Sequence, residues 1–306
     1  MRSLFLLVIA SGILPAADST NWIEGLGGQV TRTQDGKIVG VGLRGTWVND
    51  ADMLSLSAMP DLESLDLSHT RITDEGMLRL KDAPKIRDLN LFYAEWITDQ
   101  GMTAIRNWKH LKRLNVRGTR ISDGTLEIVS GMTGLESLDV AHTSITDNGL
   151  DYLITLVNLK ELSLGRGRLT NASLQVLKML PTITYLDLSG ARPAPPDMPG
   201  RATQQGIPEA AIRAIAELKE LRVLKLAYSA IDAEGLHIVG TVPAIEKLAL
   251  EGCSRVNDAA LAELATWKNL KYLDVQDTKV TQAGVDAFRK AKPAVVILFG
   301  GIQGAD

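Results

Sequence analysis

Leu135-Glu136-Ser137-Leu138-Asp139-Val140-Ala141-His142-Thr143-Ser144-Ile145-Thr146-Asp147-Asn148-Gly149-Leu150 is one copy of a unit that recurs along the whole chain. Its opening pattern, Leu-x-x-Leu-x-Leu with Ile or Val allowed, starts at Leu62, Ile86, Leu111, Leu135, Leu159, Ile183, Leu221, Ile245 and Leu270. All but one of the steps are 24 or 25 residues; the step from Ile183 to Leu221 is 38. A first copy starts at Ile38, and a degenerate last one starts at Ala294 and ends in Val295-Val296-Ile297-Leu298-Phe299. A fixed period of this length is the signature of a repeat architecture and decides the fold before any single residue is interpreted.

Each copy has two halves. In Leu65-Asp66-Leu67 and its equivalents apolar and polar residues alternate, as in a strand with one buried face. A turn follows, and then Thr73, Thr98, Ser122, Thr146 and Thr170 each precede Asp or Asn. These residue types suit a helix N-cap, with an acid at the positive end of the helix. Stretches such as Gly76-Met77-Leu78-Arg79-Leu80 carry helical spacing, and Pro84, Pro181, Pro243 and Pro293 follow as stop signals. One strand and one helix cannot bury their apolar faces alone, so successive copies must stack into a shared core. Leucine suits that core because one shape repeats in register. The chain has 44 leucines against 14 aromatic residues.

The copies resemble leucine-rich repeats, and Ile145-Thr146-Asp147-Asn148-Gly149-Leu150 is similar to the Ile-Thr-Asp-x-Gly-Leu subclass found in F-box-associated repeats and in secreted planctomycete-type bacterial repeat proteins. The resemblance covers residues 38–299. It implies an α/β, ribonuclease-inhibitor-like right-handed solenoid of about 11 repeats, with a curved parallel sheet on the concave side and helices on the convex side. It also implies a protein-binding scaffold without chemistry of its own.

The ends and one interruption depart from the period. Residues 1–17, MRSLFLLVIASGILPAA, have a basic start, an apolar run too short to span a bilayer and a small-residue end, which is the pattern of a cleavable secretory signal. No Cys follows to carry a lipid anchor, so the expectation is a secreted or periplasmic protein that does not span the membrane. Residues 18–45 are expected to form a capping unit with a hairpin at Asp35-Gly36 and the first repeat strand. The array proper runs over 46–299, with a proline-rich loop inserted near 190–208, and 300–306 are a tail.

Composition and motifs exclude several functions. The net charge is −3, so no global basic field points to nucleic acid. A single Cys rules out an intrachain disulfide and a Cys-built zinc site. No metalloprotease helix, nucleophile elbow, phosphate loop or dinucleotide fingerprint occurs, so no catalysis, cofactor or metal is expected. Cys253 replaces the turn Thr of other copies (Thr70, Thr119, Thr143, Thr278) and reads as a small buried residue.

Candidate binding residues come from columns, since equal positions in neighbouring copies lie about 4.8 Å apart. One column holds His69, Tyr93, His142 and Arg166, flanked by Phe92 and Arg117, residue types that give area and hydrogen bonds at low entropic cost. The column before the Ile of Ile-Thr-Asp contains Trp47, Arg71, Trp96, Arg120 and Arg168 and no acid. These residues either stack on one another as cation–π pairs or form an edge for a partner. A protein partner is the leading expectation and a saccharide or cell-wall polymer on the Trp/Arg edge the alternative.

Overall fold

The structure, a computed structural model, describes residues 20–83, 85–166, 173–190 and 209–300. The segment 1–17, Pro84, Arg168, Thr170, most of the 190–208 insertion and the 301–306 tail therefore lie outside the described residues.

Among the described residues twelve strands form one sheet in sequence order. β1 (Gln29–Arg32) and β2 (Ile38–Gly42) pair antiparallel. The parallel strands that follow are β3 (Ser64–Asp66), β4 (Asp88–Asn90), β5 (Arg113–Asn115), β6 (Ser137–Asp139), β7 (Glu161–Ser163), β8 (Tyr185–Asp187), β9 (Val223–Lys225), β10 (Lys247–Ala249), β11 (Tyr272–Asp274) and β12 (Val296–Leu298). Among the parallel strands register does not slip: Leu65, Leu89, Leu114, Leu138, Leu162, Leu186, Leu224, Leu248, Leu273 and Ile297 are successive partners. All of them are buried, and with the flanking Leu and Ile columns they make one continuous core. A Leu→Ala change in such a column costs about 2–5 kcal/mol. The insertion leaves pairing intact, because β8 and β9 remain neighbours.

The outer layer is α-helical in most copies and 3-10 in three segments, Thr103–Asn107, Asp151–Thr155 and Ser173–Met179. So short a return allows only one or two helical turns. The chain is thus an open solenoid with sheet inside and helices outside.

The Thr-Asp step does more than cap. Asp50 accepts from the backbone N–H and the hydroxyl of Thr73 in the next copy, at 2.9 and 2.6 Å. Asp74 does the same for Thr98, Asp123 for Thr146 and Asp258 for Thr281. Asp99 binds both Ser122 and Thr125. A Cβ on Gly76, Gly101, Gly149 or Gly284 would collide with the carboxylate of the preceding copy, which is why each of these copies carries Gly three residues after its Thr. The acids, read from sequence as dipole partners of their own helices, also tie one copy to the next at five junctions among the described residues. One expectation is corrected. Thr73, Thr98 and Thr281 cap their helices through the side chain, whereas Ser122 and Thr146 hold the N-cap position without a side-chain cap bond, although all five hydroxyls donate to the acid of the preceding copy.

Candidate functional site

The concave face has a floor and a ledge. The floor is the first and third residues of each strand. The third residue also starts the turn: Asp66, Asn90, Asn115, Asp139, Asp187 and Asp274 each accept the backbone N–H two residues on, at 2.8–3.1 Å. Short Asx side chains favour this bond, so the polar column is first of all a set of turn formers.

The ledge is the next step of that turn. Three residues past the third strand position the backbone enters the left-handed region in every described copy with a complete turn. Gly45, Gly118, Gly190 and Gly252 have φ of 63–73°, and His69, Tyr93, His142, Arg166, Tyr228 and Asp277 have φ of 52–59°. The sheet's hydrogen bonding imposes this. His69, Tyr93, His142 and Tyr228 each donate their N–H to a carbonyl of the next copy at 2.7–2.9 Å, which extends the ladder past the strand. Glycine adopts this conformation freely; other L residues are disfavoured there by about 1–2 kcal/mol. The bulky side chains lean over the following copy. A Cβ on Gly118 or Gly252 would strike the ring of Tyr93 or Tyr228, and one on Gly190 would meet Arg166 Cγ at 2.8 Å.

Five of the expected residues come together on this ledge. His69 stacks on Tyr93 (centroids 5.7 Å apart, planes within 3°), and Phe92 packs edge-on against both at 5.0 and 4.7 Å. Tyr93 faces His142, with Oη 3.5 Å from Nδ1. Arg117 Nη2 lies 3.1 Å from His142 Nε2, and its Nη1 lies 3.7 Å from Asp139 Oδ2. A guanidinium can only donate, so Nε2 accepts and the imidazole proton sits on Nδ1, towards Tyr93. Burial, then Arg117 and Arg166, hold the His142 pKa below its ordinary 6.5. Burial pushes the Asp139 carboxyl above its ordinary 3.8, despite the Ala141 N–H and Arg117. Arg166 stands one copy further on, exposed.

The Trp/Arg column resolves into two separate pairs. Arg71 Cζ lies 4.9 Å from the Trp47 ring centroid and Arg120 Cζ lies 4.7 Å from that of Trp96. Each Trp is covered by the Arg of the next copy, while Trp47 stays 74% and Trp96 52% exposed. Arg168 lies outside the described residues.

Beneath the ledge a shallow cavity of about 450 Å³ runs along copies two to seven, between Asp66, Asp88, Arg113, Asp139, Glu161 and Tyr185. A second, more apolar recess of about 790 Å³ lies at the N-terminal end between Trp22, Ile38, Met59 and Pro60, and holds none of the expected binding residues. Among the described residues no three of His, Cys, Asp and Glu are grouped to hold a metal ion. Cys253 is buried and its thiol is pushed up by burial; it bonds to the Leu226 carbonyl at 3.1 Å. None of the helices among the described residues is long and apolar enough to cross a membrane.

Comparison with known proteins agrees with this architecture. The family described as "Leucine Rich repeat" matches residues 58–81 and 132–153. The chain thus carries leucine-rich repeats and has the leucine-rich-repeat fold. Among solved structures it is similar to an internalin (inlF) from Listeria monocytogenes, at 15% identity and a TM-score of 0.51, over 94% of each chain. It is also similar to the ectodomain of the Arabidopsis receptor kinase HAESA, solved with an N-terminally extended IDA peptide hormone, at 18% identity and a TM-score of 0.55, over 82% of this chain and 40% of that one. An internalin C2 from Listeria monocytogenes matches at 17% identity and a TM-score of 0.44, over 86% and 80%. No curated protein is significantly similar in sequence.

Proposed function

We propose that this chain is an exported, non-catalytic scaffold that binds a protein partner through the ledge of copies two to six and the floor below it. The observation that carries the reading is the ledge itself. Four bulky polar or aromatic residues, His69, Tyr93, His142 and Arg166, occupy a backbone conformation that glycine fills elsewhere in the same column. Strained positions of this kind persist where their side chains are needed. Those side chains are rings and cations, the types that dominate binding hot spots. The peptide complex of HAESA supports the use of such a solenoid as a protein-recognition surface. Export rests on the 1–17 segment and is checked by sequencing the mature N-terminus.

The test uses a substitution the backbone accepts. Tyr93→Gly keeps the left-handed turn and removes the ring. Affinity capture from envelope extracts by the wild type, lost with Tyr93→Gly at unchanged thermal stability, is the expected result. Capture that ignores both Tyr93→Gly and Arg117→Ala sinks the reading. A second reading, saccharide binding at the Trp/Arg edge, is favoured by the exposure of Trp47. Binding to a glycan array, abolished by Trp47→Ala, would establish it in place of the first.

A further inference from the structure

Resting on the protein-binding reading, we infer that the partner presents an acidic polypeptide segment to this ledge, and that His142 takes up a proton when that segment binds. Charge placement points to the acid. From copy two to copy six the ledge positions carry Arg117, His142 and Arg166 with Phe92, Tyr93 and His69, and no acid. No hydrogen bond or ion pair engages the Arg166 side chain among the described residues. The floor of copies two to seven is acidic: Asp66, Asp88, Asp139, Glu161 and Asp187 stand there with Arg113 as the one cation among those floor positions, and would repel a second row of carboxylates. An acid is therefore admitted at the ledge and refused at the floor. The Phe92–Tyr93–His69 cluster beside it offers a face to an apolar neighbour in the same segment. A polypeptide supplies both groups side by side.

The proton follows from the hydrogen bonds. In the free protein two groups that could both donate to an anion are joined as donor and acceptor: Arg117 Nη2 donates to His142 Nε2. The charged and titratable groups around that ring are Tyr93, Arg117, Arg166 and, further off, Asp187, with Asp139 behind Arg117. Burial and then the two guanidinium groups disfavour the charged ring. A carboxylate set over Arg117 offsets their repulsion and accepts from both Arg117 and a protonated Nε2, so the ring gains by taking up a proton from solvent. The carboxylate is the state that binds; below about pH 4 it is itself protonated and the gain ends. Acidification from pH 7.5 towards 5.5 thus tightens binding.

The experiment titrates the full chain with a blocked Glu-Glu-Phe-Glu-Glu peptide, N-acetylated and C-amidated, against its Lys-Lys-Phe-Lys-Lys counterpart. Calorimetry in two buffers of different ionisation heat counts the protons. Expected are binding of the acidic peptide alone, tightening by roughly threefold to tenfold between pH 7.5 and 5.5 as the His range is crossed, and net proton uptake near pH 6.5. Arg117→Gln should weaken it by about tenfold, the loss typical of one charge-assisted bond. His142→Gln should remove both the pH dependence and the proton uptake, while the acidic peptide is still preferred over the basic one. Failure of the acidic peptide to bind, equal binding of the basic peptide, pH dependence that survives His142→Gln, or binding of polygalacturonate in place of the peptide each overturns the inference. These failures are distinct from that of the broader reading: a natural partner lost with Tyr93→Gly but recognised through a neutral or basic segment sinks only the acidic, proton-linked claim.

Discussion

The concave surface is built twice with opposite polarity. In copies two to six the ledge carries the cations Arg117 and Arg166 beside His142, over a floor that holds Asp66, Asp88, Asp139 and Glu161 and is continued by Asp187 in copy seven. In copies eight to ten, beyond the insertion, the ledge carries Glu251 and Asp277 over a floor that holds Lys225 and Lys247 with the single acid Asp274. The construction is otherwise the same. Tyr93 lies over Gly118 and Tyr228 over Gly252, with both tyrosines left-handed. Even the hydroxyls part ways. Tyr228 Oη donates to Glu251 at 2.7 Å, and that bond raises its pKa, whereas Tyr93 faces the protonated nitrogen of His142 and keeps its own proton for a partner. A solenoid fixes backbone and core by repetition and leaves the surface columns free, so one frame can display either sign. A single uniformly charged partner cannot cover both halves.

The frame shared by the halves is the first thing to break. Gly118→Val and Gly252→Val each place a β-branched side chain at a left-handed φ, under a tyrosine ring. Each should lower unfolding stability by about 2–4 kcal/mol, combining backbone strain with a forced clash. Denaturant midpoints check this, and tolerance in one half alone would mean that the two constructions differ. The polarity is the next target. Arg117→Glu should reduce binding of the blocked acidic peptide by more than about tenfold. Glu251→Arg, which extends the cationic ledge past the insertion, should leave that binding equal or tighter. A loss there would put the acidic segment in the wrong half.

Strain gives a third, smaller contrast. Arg166→Gly and Asp277→Gly both relieve a left-handed residue, and each should stabilise the fold by about 0.5–1 kcal/mol, the steric relief less the added chain entropy. Only Arg166→Gly should also weaken the partner. Equal effects on binding would detach function from the strained ledge.

Legibility in the sequence followed the same division between frame and surface. The period was plain because a shared core demands equal spacing, and Leu65, Leu89 and Leu114 could be aligned by counting. Ledge columns could be aligned in the same way, so His69, Tyr93 and His142 were grouped without coordinates. The sequence signal of their left-handed conformation is Gly45, Gly118, Gly190 and Gly252 in the same column, a subtler mark than the period. The ladder from Asp50 to Thr73 and Gly76 was likewise spelled out by an acid one copy before each glycine. The Tyr93–His142–Arg117–Asp139 chain was out of reach. It skips between copies, and side-chain rotamers decide its contacts. Trp47 and Arg71 could be placed side by side, but that the guanidinium covers the ring is also a matter of rotamers.

Asp139 sets the smallest expected effect and separates turn from charge. Its Oδ1 holds the Ala141 N–H at 3.0 Å, while Oδ2 lies 3.7 Å from Arg117. Asn115, at the same position one copy earlier, makes the same turn bond at 3.1 Å without a charge, so Asp139→Asn keeps the turn. What changes is the proton balance. The folded carboxyl titrates above its ordinary 3.8, mainly because of burial. Between 3.8 and that raised value the folded state binds more protons than the unfolded one, so stability falls as pH rises through the window. Above it the ionised group carries a constant penalty, partly offset by Arg117. The Asn variant lacks both terms. At pH 7 it should match the wild type within about 0.5 kcal/mol, and below pH 4 the wild type should gain relative to it. Asp274, whose carboxyl is also raised by burial and then by Glu251 and Asp277, has no Arg beside it in the other half. Asp274→Asn should therefore stabilise at pH 7 more than Asp139→Asn does. Urea titrations at pH 7 and 4 decide between the cases. A loss above about 1 kcal/mol for Asp139→Asn would show that the Arg117 pair outweighs burial, and that the cationic ledge is held in place by the acidic floor beneath it.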